Sequence, residues 1–442
     1  MAEIAPLTPL RYDIARLSGG LASVVAPPYD VISSSERAAL AARHPNNVVR
    51  LILPEGDGDT KYAHAGSLVE SWRAAGVIVR DPQPALYRYD QTFSPPGGGS
   101  RRTRRGFLGL VRLRPFADRV VLPHERTLSG PKEDRLKLFR ATRMNLSPGF
   151  MLYRDERGDL DAALERADIV ARFSTPDGIE HVLSKVTERE ALETIVGGVA
   201  RSPLLIADGH HRYETALRYS QEVDAAHPGA HPRGEHRYFM TFLANGDSPD
   251  LLVFPTHRHV HSLPTFSFDD LVRGMGTLFA VRELPAGADA DRILAALGDA
   301  GVQGPSIAAA GPDGRVFLLA LRGDANLSAS RALAQRPAAL QRTDVTLLHA
   351  AVLEDLLGIT PEAQAAKTNL WYPQDARAAL AEVRGGRGQV LFLMNATPVS
   401  QVRAVAEAGE VMPQKSTFFY PKVVTGLAFH TLDPAREVAS IH

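Results

Sequence analysis

A mixed α+β fold spread over more than one domain is what this sequence predicts, on three observations. Its 442 residues exceed what one ordinary hydrophobic core encloses. Short apolar runs of strand character alternate with amphipathic helical stretches along the whole chain. Several strand pairs are joined by hairpin signals and not by helical crossovers, which speaks against a clean doubly wound sheet. The expected division is residues 1–229 and residues 230–442, the second an α/β domain.

In chain order, residues 21–25 read as a short strand that ends in Ala26-Pro27-Pro28-Tyr29-Asp30. The two prolines fix φ twice, so Tyr29 and Asp30 are expected in an extended loop. Ser33 to Glu36 has the look of a helix start, and the β-branched run 48–53 that of a strand. Residues 62–75 should form an amphipathic helix. Residues 85–93 alternate apolar and polar side chains and should pair with 106–113. The Pro-Pro-Gly-Gly-Gly-Ser stretch and Arg101, Arg102, Arg104 and Arg105 between them read as a mobile hairpin tip with solvated arginines. Residues 142–153 run through Pro148 into a strand, 159–168 form a helix, and 191–199 suit either element. Strand character returns at 238–243 and 251–260. Gly311-Pro312-Asp313-Gly314 links the strands 306–310 and 316–321 as a hairpin. Helices at 344–357 and 375–383 precede a buried strand at 389–394.

Composition removes whole classes of function. There is no cysteine, hence no disulfide, thiolate zinc site, iron–sulfur cluster or cysteine nucleophile. Fifty basic and fifty acidic side chains give no net field toward nucleic acid or an anionic membrane, so neither is an expected partner. The opening MAEIAPLTPLRYDIARL breaks the apolar core that a signal peptide needs, and no stretch approaches the ~20 apolar residues of a membrane span. A cytoplasmic protein is expected. Any anion site must be local.

The strongest local signal is Pro203-Leu204-Leu205-Ile206-Ala207-Asp208-Gly209-His210-His211-Arg212. A buried strand stops at Asp208, turns on Gly209, and a helix begins. Such a start presents unpaired backbone N–H groups and the positive end of the helix dipole, and Arg212 adds a planar donor fork. Helix capping alone accounts for Asp208 and Gly209. It leaves His210, His211 and Arg212 unexplained, whereas an anion site uses all five. A second cluster is Pro123-His124-Glu125-Arg126-Thr127 followed by Lys132-Glu133-Asp134-Arg135. It reads either as a solvated loop or as a general base with phosphate ligands. Position 128 is leucine, so HExxH fails. A third is Thr256-His257-Arg258-His259-Val260-His261, where three histidines share a strand face without a carboxylate. Anion contacts from His257 or Arg258 are preferred there, and no metal is expected. A fourth, Met412-Pro413-Gln414-Lys415-Ser416-Thr417-Phe418-Phe419-Tyr420-Pro421-Lys422, ends like a P-loop but lacks its glycines. It is either a structural turn or a source of Lys415 or Lys422 for a phosphate held elsewhere.

APPYD, HERT with KEDR, ADGHHRYETAL, PTHR and MPQKSTFFYPK, in that order over nearly the whole chain, resemble the bacterial family named domain of unknown function 1015. Around HE and DGHHR the chain also resembles the ParB/sulfiredoxin-like superfamily, in particular its shorter free-serine kinases. That resemblance implies a ParB/sulfiredoxin-like core in residues 1–229 and phosphates of a donor held at Gly209, His210, His211 and Arg212. It also implies Glu125 as base on the acceptor hydroxyl, with His124 and Asp208 beside the chemistry. Lys132, Arg135, His257, Arg258 and Lys415 are the further phosphate ligands expected. The sulfiredoxins use a cysteine in this turn and are excluded; the DNA-binding parts of ParB are not found.

The implied activity is a phosphotransferase on a small hydroxylated metabolite, most simply a kinase of free L-serine. Its donor would be ATP, ADP or pyrophosphate, with Mg²⁺ accompanying a nucleotide and held by Asp208 or by the ligand itself. The alternative is a ParB-like switch that binds and slowly hydrolyses a nucleotide without binding DNA.

Overall fold

In the computed structural model, which describes residues 1–127 and 129–441, the chain leaves one unit after Pro123, enters a second for His124–Arg126, and returns at Thr127. The first unit comprises Met1–Pro123, Thr127–Leu252 and Pro421–His442; the second comprises His124–Arg126 and Val253–Tyr420. Residues 230–252, beyond the expected boundary at 229/230, lie in the first unit, where the strand Tyr238–Asn245 pairs within its sheet. The last residues also return to the first unit. The fold is α+β with mixed and antiparallel sheets.

The first unit is built on a nine-stranded sheet in the order Val121–Leu122, Leu204–Asp208, Gly149–Tyr153, Tyr238–Asn245, Arg102–Arg112, Leu86–Phe93, Glu180–Val186, Asp168–Ser174, with Ile4–Ala5 also on Arg102–Arg112. Leu204–Asp208 runs parallel to Val121–Leu122 and antiparallel to Gly149–Tyr153. Alternation along the strands gives the sheet two faces. Phe107, Val111, Met151, Leu204, Ile206, Phe239 and Leu243 pack on one face against the helices Arg189–Val199 and His210–Ala226. The stretch 191–199, which suited either element, is helical because Ala191, Leu192, Ile195, Val196 and Val199 recur at helical spacing and are all buried.

Several expectations fail for identifiable reasons. Residues 21–25 are not a strand but the end of a helix, Gly20–Val24, entered through left-handed Gly19 and Gly20. Residues 48–53 are the helix Val49–Ile52. The Asn47 side chain accepts from Val49 N–H (3.0 Å) and donates to Ser23 and Val25 carbonyls (2.8 and 3.2 Å). A buried cap of this kind outweighs the strand bias of valine and isoleucine. Tyr29 and Asp30 form one 3₁₀ turn, Tyr29–Val31, after an extended Pro28. The charged run 132–135 is not a loop; it belongs to the helix Ser129–Thr142. The arginine tip is also shorter than expected. Arg102–Arg112 is continuous strand, and Arg104 is buried. Strand 251–260 is interrupted at Pro255, giving Leu252–Phe254 and Arg258–Val260. The Ser33/Glu36 capping box and the helix Thr60–Ala74 match the sequence reading.

The second unit holds a six-stranded antiparallel sheet, Phe279–Glu283, Val316–Leu321, Ser306–Ala310, Val390–Met394, Arg258–Val260, Leu370–Trp371. Ile307, Leu319 and Phe392 face the helical stretch Leu347–Leu356, whereas Ala308, Leu318 and Leu391 face Ala290–Gln303 and Ala376–Arg384. The hairpin at Gly311–Gly314 is closed by Gly311 N–H on Arg315 carbonyl (2.9 Å), with Gly314 left-handed.

Burial holds four histidines neutral: His181, His257 and His430 are pushed down to about 4 and His349 to about 3. The unfolded chain takes a proton on each near pH 6.5 that the native state refuses. Stability therefore falls as pH drops from about 6.5 to about 4, by up to ~1.4 kcal/mol per histidine per pH unit. Asp344 acts with the opposite sign. Its buried carboxyl is raised to about 6, so the native state gains a proton first and offsets one histidine. Denaturant titrations at pH 7, 5.5 and 4.5 should show a progressive loss; equal stability at all three would mean these rings are not desolvated.

Candidate functional site

Within the first unit, the chain enters the site through an irregularity in the strand Leu204–Asp208. Ile206 opposes Met151 but Asp208 opposes Phe150, so Ala207 is an extra residue in the ladder. Without that bulge Asp208 would share the helix-packed face of Leu204 and Ile206. With it, Asp208 joins Phe150 on the opposite face. Gly209 follows at φ 91°, a conformation that favours glycine, and a Cβ there would also lie 3.0 Å from Arg212 Nε. The 17-residue helix His210–Ala226 then begins with no side-chain cap among the described residues. His210 and Arg212 are buried in its first turn and His211 is half-buried.

Cations gather at this turn. Arg212 donates to the carbonyl of Pro148 and to Asp208 Oδ1 (3.2 Å), while Lys422 Nζ meets Asp208 Oδ2 at 2.6 Å. Three residues after Lys422, Thr425 pairs antiparallel with Ala26 at the start of the APPYD motif. The same pairing positions Tyr29, over whose ring the Arg135 guanidinium stacks at 4.1 Å. Arg135 also donates to the Ile52 carbonyl (2.7 Å) and pairs with Asp134. Tyr29, Arg135, Asn145, Ser147 and Arg212 line a small, partly open cleft. Burial raises the Tyr29 phenol, with Arg135 and Arg212 working against the rise and Asp208 adding to it. Lys132 belongs to a neighbouring group on the same helix, held by Glu214 (2.7 Å) and Thr127 (3.1 Å).

The remaining predicted residues belong to the second unit. His124 Nε2 and Thr417 Oγ1 share a hydrogen bond (2.9 Å), and Met412 N–H donates to the His124 carbonyl (2.7 Å). Glu125 bridges to Met412 in parallel register. Arg258 is fully buried. It donates to the Thr256 carbonyl, to the Lys415 carbonyl (3.1 Å) and to His349 Nε2 (3.0 Å), and its guanidinium lies over Tyr372. Glu125 and Tyr372 lie within electrostatic reach of it, and burial lowers Arg258 to about 10. The HE, PTHR and MPQKST motifs thus converge around one buried arginine. Two of the expected phosphate ligands have protein partners here. Arg258 directs its N–H groups to carbonyls and a neutral histidine, and neutral His257 accepts from Met394 N–H (3.1 Å). Lys415 adopts a left-handed backbone (φ 59°).

A divalent ion at Asp208 does not fit this donor set, because both carboxylate oxygens already face cations. Among the described residues, no three of His, Cys, Asp and Glu are grouped as metal ligands. Sequence reasoning missed Arg104 and Gln91, which turn out to lie on the same sheet face as Asp208. The alternation of Arg104 with Gly106, Leu108 and Leu110 was the signal that pointed inward. No described helix is long and apolar enough to cross a membrane.

Residues 4–346 match the model of a family described as protein of unknown function (DUF1015). No curated protein matches the sequence. Among solved structures, a free serine kinase in complex with AMP is similar at 14% identity, covering 71% of this chain and 89% of its own, with a TM-score of 0.37. A conserved hypothetical protein from Pyrococcus furiosus is similar at 15% identity over 70% of this chain and 92% of its own, with a TM-score of 0.34. SbnI with a C-terminal truncation, from Staphylococcus aureus, stands at 10%, 73%, 87% and 0.35 on the same measures. Overlaps this distant assign no activity; the chemistry has to be read from the residues.

Proposed function

The chain belongs to the DUF1015 family, and from that premise we propose that it is a phosphotransferase acting on a small hydroxylated metabolite. Free L-serine is the acceptor, and a nucleotide or pyrophosphate is the donor. The observation that carries this reading is the helix start at left-handed Gly209, where Arg212 and Lys422 both meet Asp208. Two cations beside the positive end of a helix dipole make a turn that suits a phosphate. Asp208 serves as the internal counter-ion that the arriving anion displaces. Mg²⁺ would come bound to the donor's own phosphates.

In the reaction, the acceptor hydroxyl oxygen attacks the donor's terminal phosphorus. A new P–O bond forms as the bridging P–O bond breaks, and the departing nucleotide or phosphate keeps the electron pair. The resembled superfamily's motif order gives the hydroxyl proton to Glu125. Such transfer needs positioning and charge neutralisation more than covalent chemistry.

The test is incubation with L-serine and ATP, ADP or pyrophosphate in turn, with O-phosphoserine followed by phosphorus NMR. Phosphoserine from at least one donor is the expected result. Donor hydrolysis without phosphoserine would move the assignment to a nucleotide-hydrolysing switch, and no consumption of any donor would sink both.

A further inference from the structure

The most unusual side chain in the first unit is Arg104. It is 2% exposed. Its guanidinium lies between the rings of Phe150 (4.8 Å) and Phe242 (5.3 Å), and it donates through Nη2 to Gln91 Oε1. Among the described residues, its Nε and Nη1 have no hydrogen-bond partner. Burying a cation with two of its N–H groups unpartnered among the described residues is costly.

Its surroundings point to that use. Gln91, Arg104, Phe242, Phe150 and Asp208 occupy one face of adjoining strands, by the pairings Gln91 with Arg104, Phe242 with Phe150, and Asp208 with Phe150. Gln91 accepts from Arg104 through Oε1, which turns its NH₂ toward the Lys422 carbonyl (3.0 Å), the residue whose ammonium holds Asp208. Asp208 is within electrostatic reach of the guanidinium. Burial lowers Arg104 only to about 10, which leaves it charged at neutral pH.

We infer that Arg104 is a positioning and specificity residue: a buried charge with unused donors that orients Lys422 through Gln91 and biases the Asp208 turn toward the more highly charged phosphate ligand. This rests on the anion site proposed above. In a medium of low dielectric such a charge acts over several ångströms without contact, and its effect scales with the ligand's own charge. A purely structural arginine would affect all ligands alike.

The experiment compares wild type, Arg104→Met and Gln91→Glu by calorimetric titration with pyrophosphate and with inorganic phosphate, alongside thermal unfolding. Methionine keeps an apolar stem between the two rings; glutamate leaves the arginine in place and neutralises it, and having no NH₂ it also gives up the bond to the Lys422 carbonyl. Both variants should weaken pyrophosphate about 10-fold and phosphate only about 2- to 3-fold. Arg104→Met should also unfold no earlier than wild type, since it removes a buried charge. Equal losses for both ligands, or none, in the two variants would overturn the inference while leaving the anion site standing. Failure of wild type to bind either probe would overturn the site itself, and this inference with it. Should Arg104→Met fail to fold, Gln91→Glu still decides.

Discussion

Glu125→Gln is expected to lower phosphoserine formation by ~10²–10⁴-fold, the usual share of a positioned general base. A serine hydroxyl is scarcely ionised at neutral pH, so a carboxylate matters chiefly as the new P–O bond forms. Glutamine keeps the shape of the side chain, and with it the backbone bridge to Met412, but can no longer take a proton. Donor affinity should change little, because a carboxylate does not attract phosphate. Burst and steady-state turnover, measured with pyrophosphate or nucleotide binding by calorimetry, separate the outcomes. Nearly full turnover removes Glu125 from the mechanism. Loss of donor binding together with turnover moves it into the binding machinery and leaves the base unassigned. Arg258 offers an internal comparison, since the Glu125 carboxylate lies within its electrostatic reach. Arg258→Met should reduce turnover without abolishing it.

Arg212→Ala should weaken pyrophosphate by ~1.5–3 kcal/mol, the worth of a charge-assisted contact, or roughly 10- to 150-fold. The substitution also strips Asp208 of one of its two cations and the Pro148 carbonyl of its donor. Some stability goes with them, so affinity must be read on protein shown to be folded. Lys422→Met is the companion variant. It removes the other cation and leaves the helix intact, and a similar loss is expected. Unchanged affinity in both variants would falsify the placement of the phosphate at Gly209.

The strand–glycine–helix turn at Asp208–Arg212 was legible in the sequence because everything that makes it is local: an apolar run, a glycine, and a helical pattern after it. The Ser33/Glu36 capping box and the Gly311–Gly314 hairpin were legible for the same reason. Each is decided by residues a few positions apart. The strand misread at 48–53 shows the limit of that reasoning. Its valines and isoleucine carry strand bias, but the side chain of Asn47 joins the following helix to Ser23 and Val25, and distant burial overrides local preference.

The composition and the order of motifs determined much by themselves: no thiol chemistry, two domains' worth of chain, a family, and the strand–glycine–helix turn at Asp208–Arg212. Which residues share that turn was decided only by the tertiary structure. Lys422 reaches Asp208 across 214 residues of sequence, and Tyr29 arrives through the pairing of Ala26 with Thr425. The single extra residue at Ala207 turns Asp208 to the face that Arg104 occupies, and the continuous strand Arg102–Arg112 buries an arginine that polar neighbours made look solvated. A bulge and a long-range pairing leave no periodic trace, because their energies come from partners that lie far away along the chain.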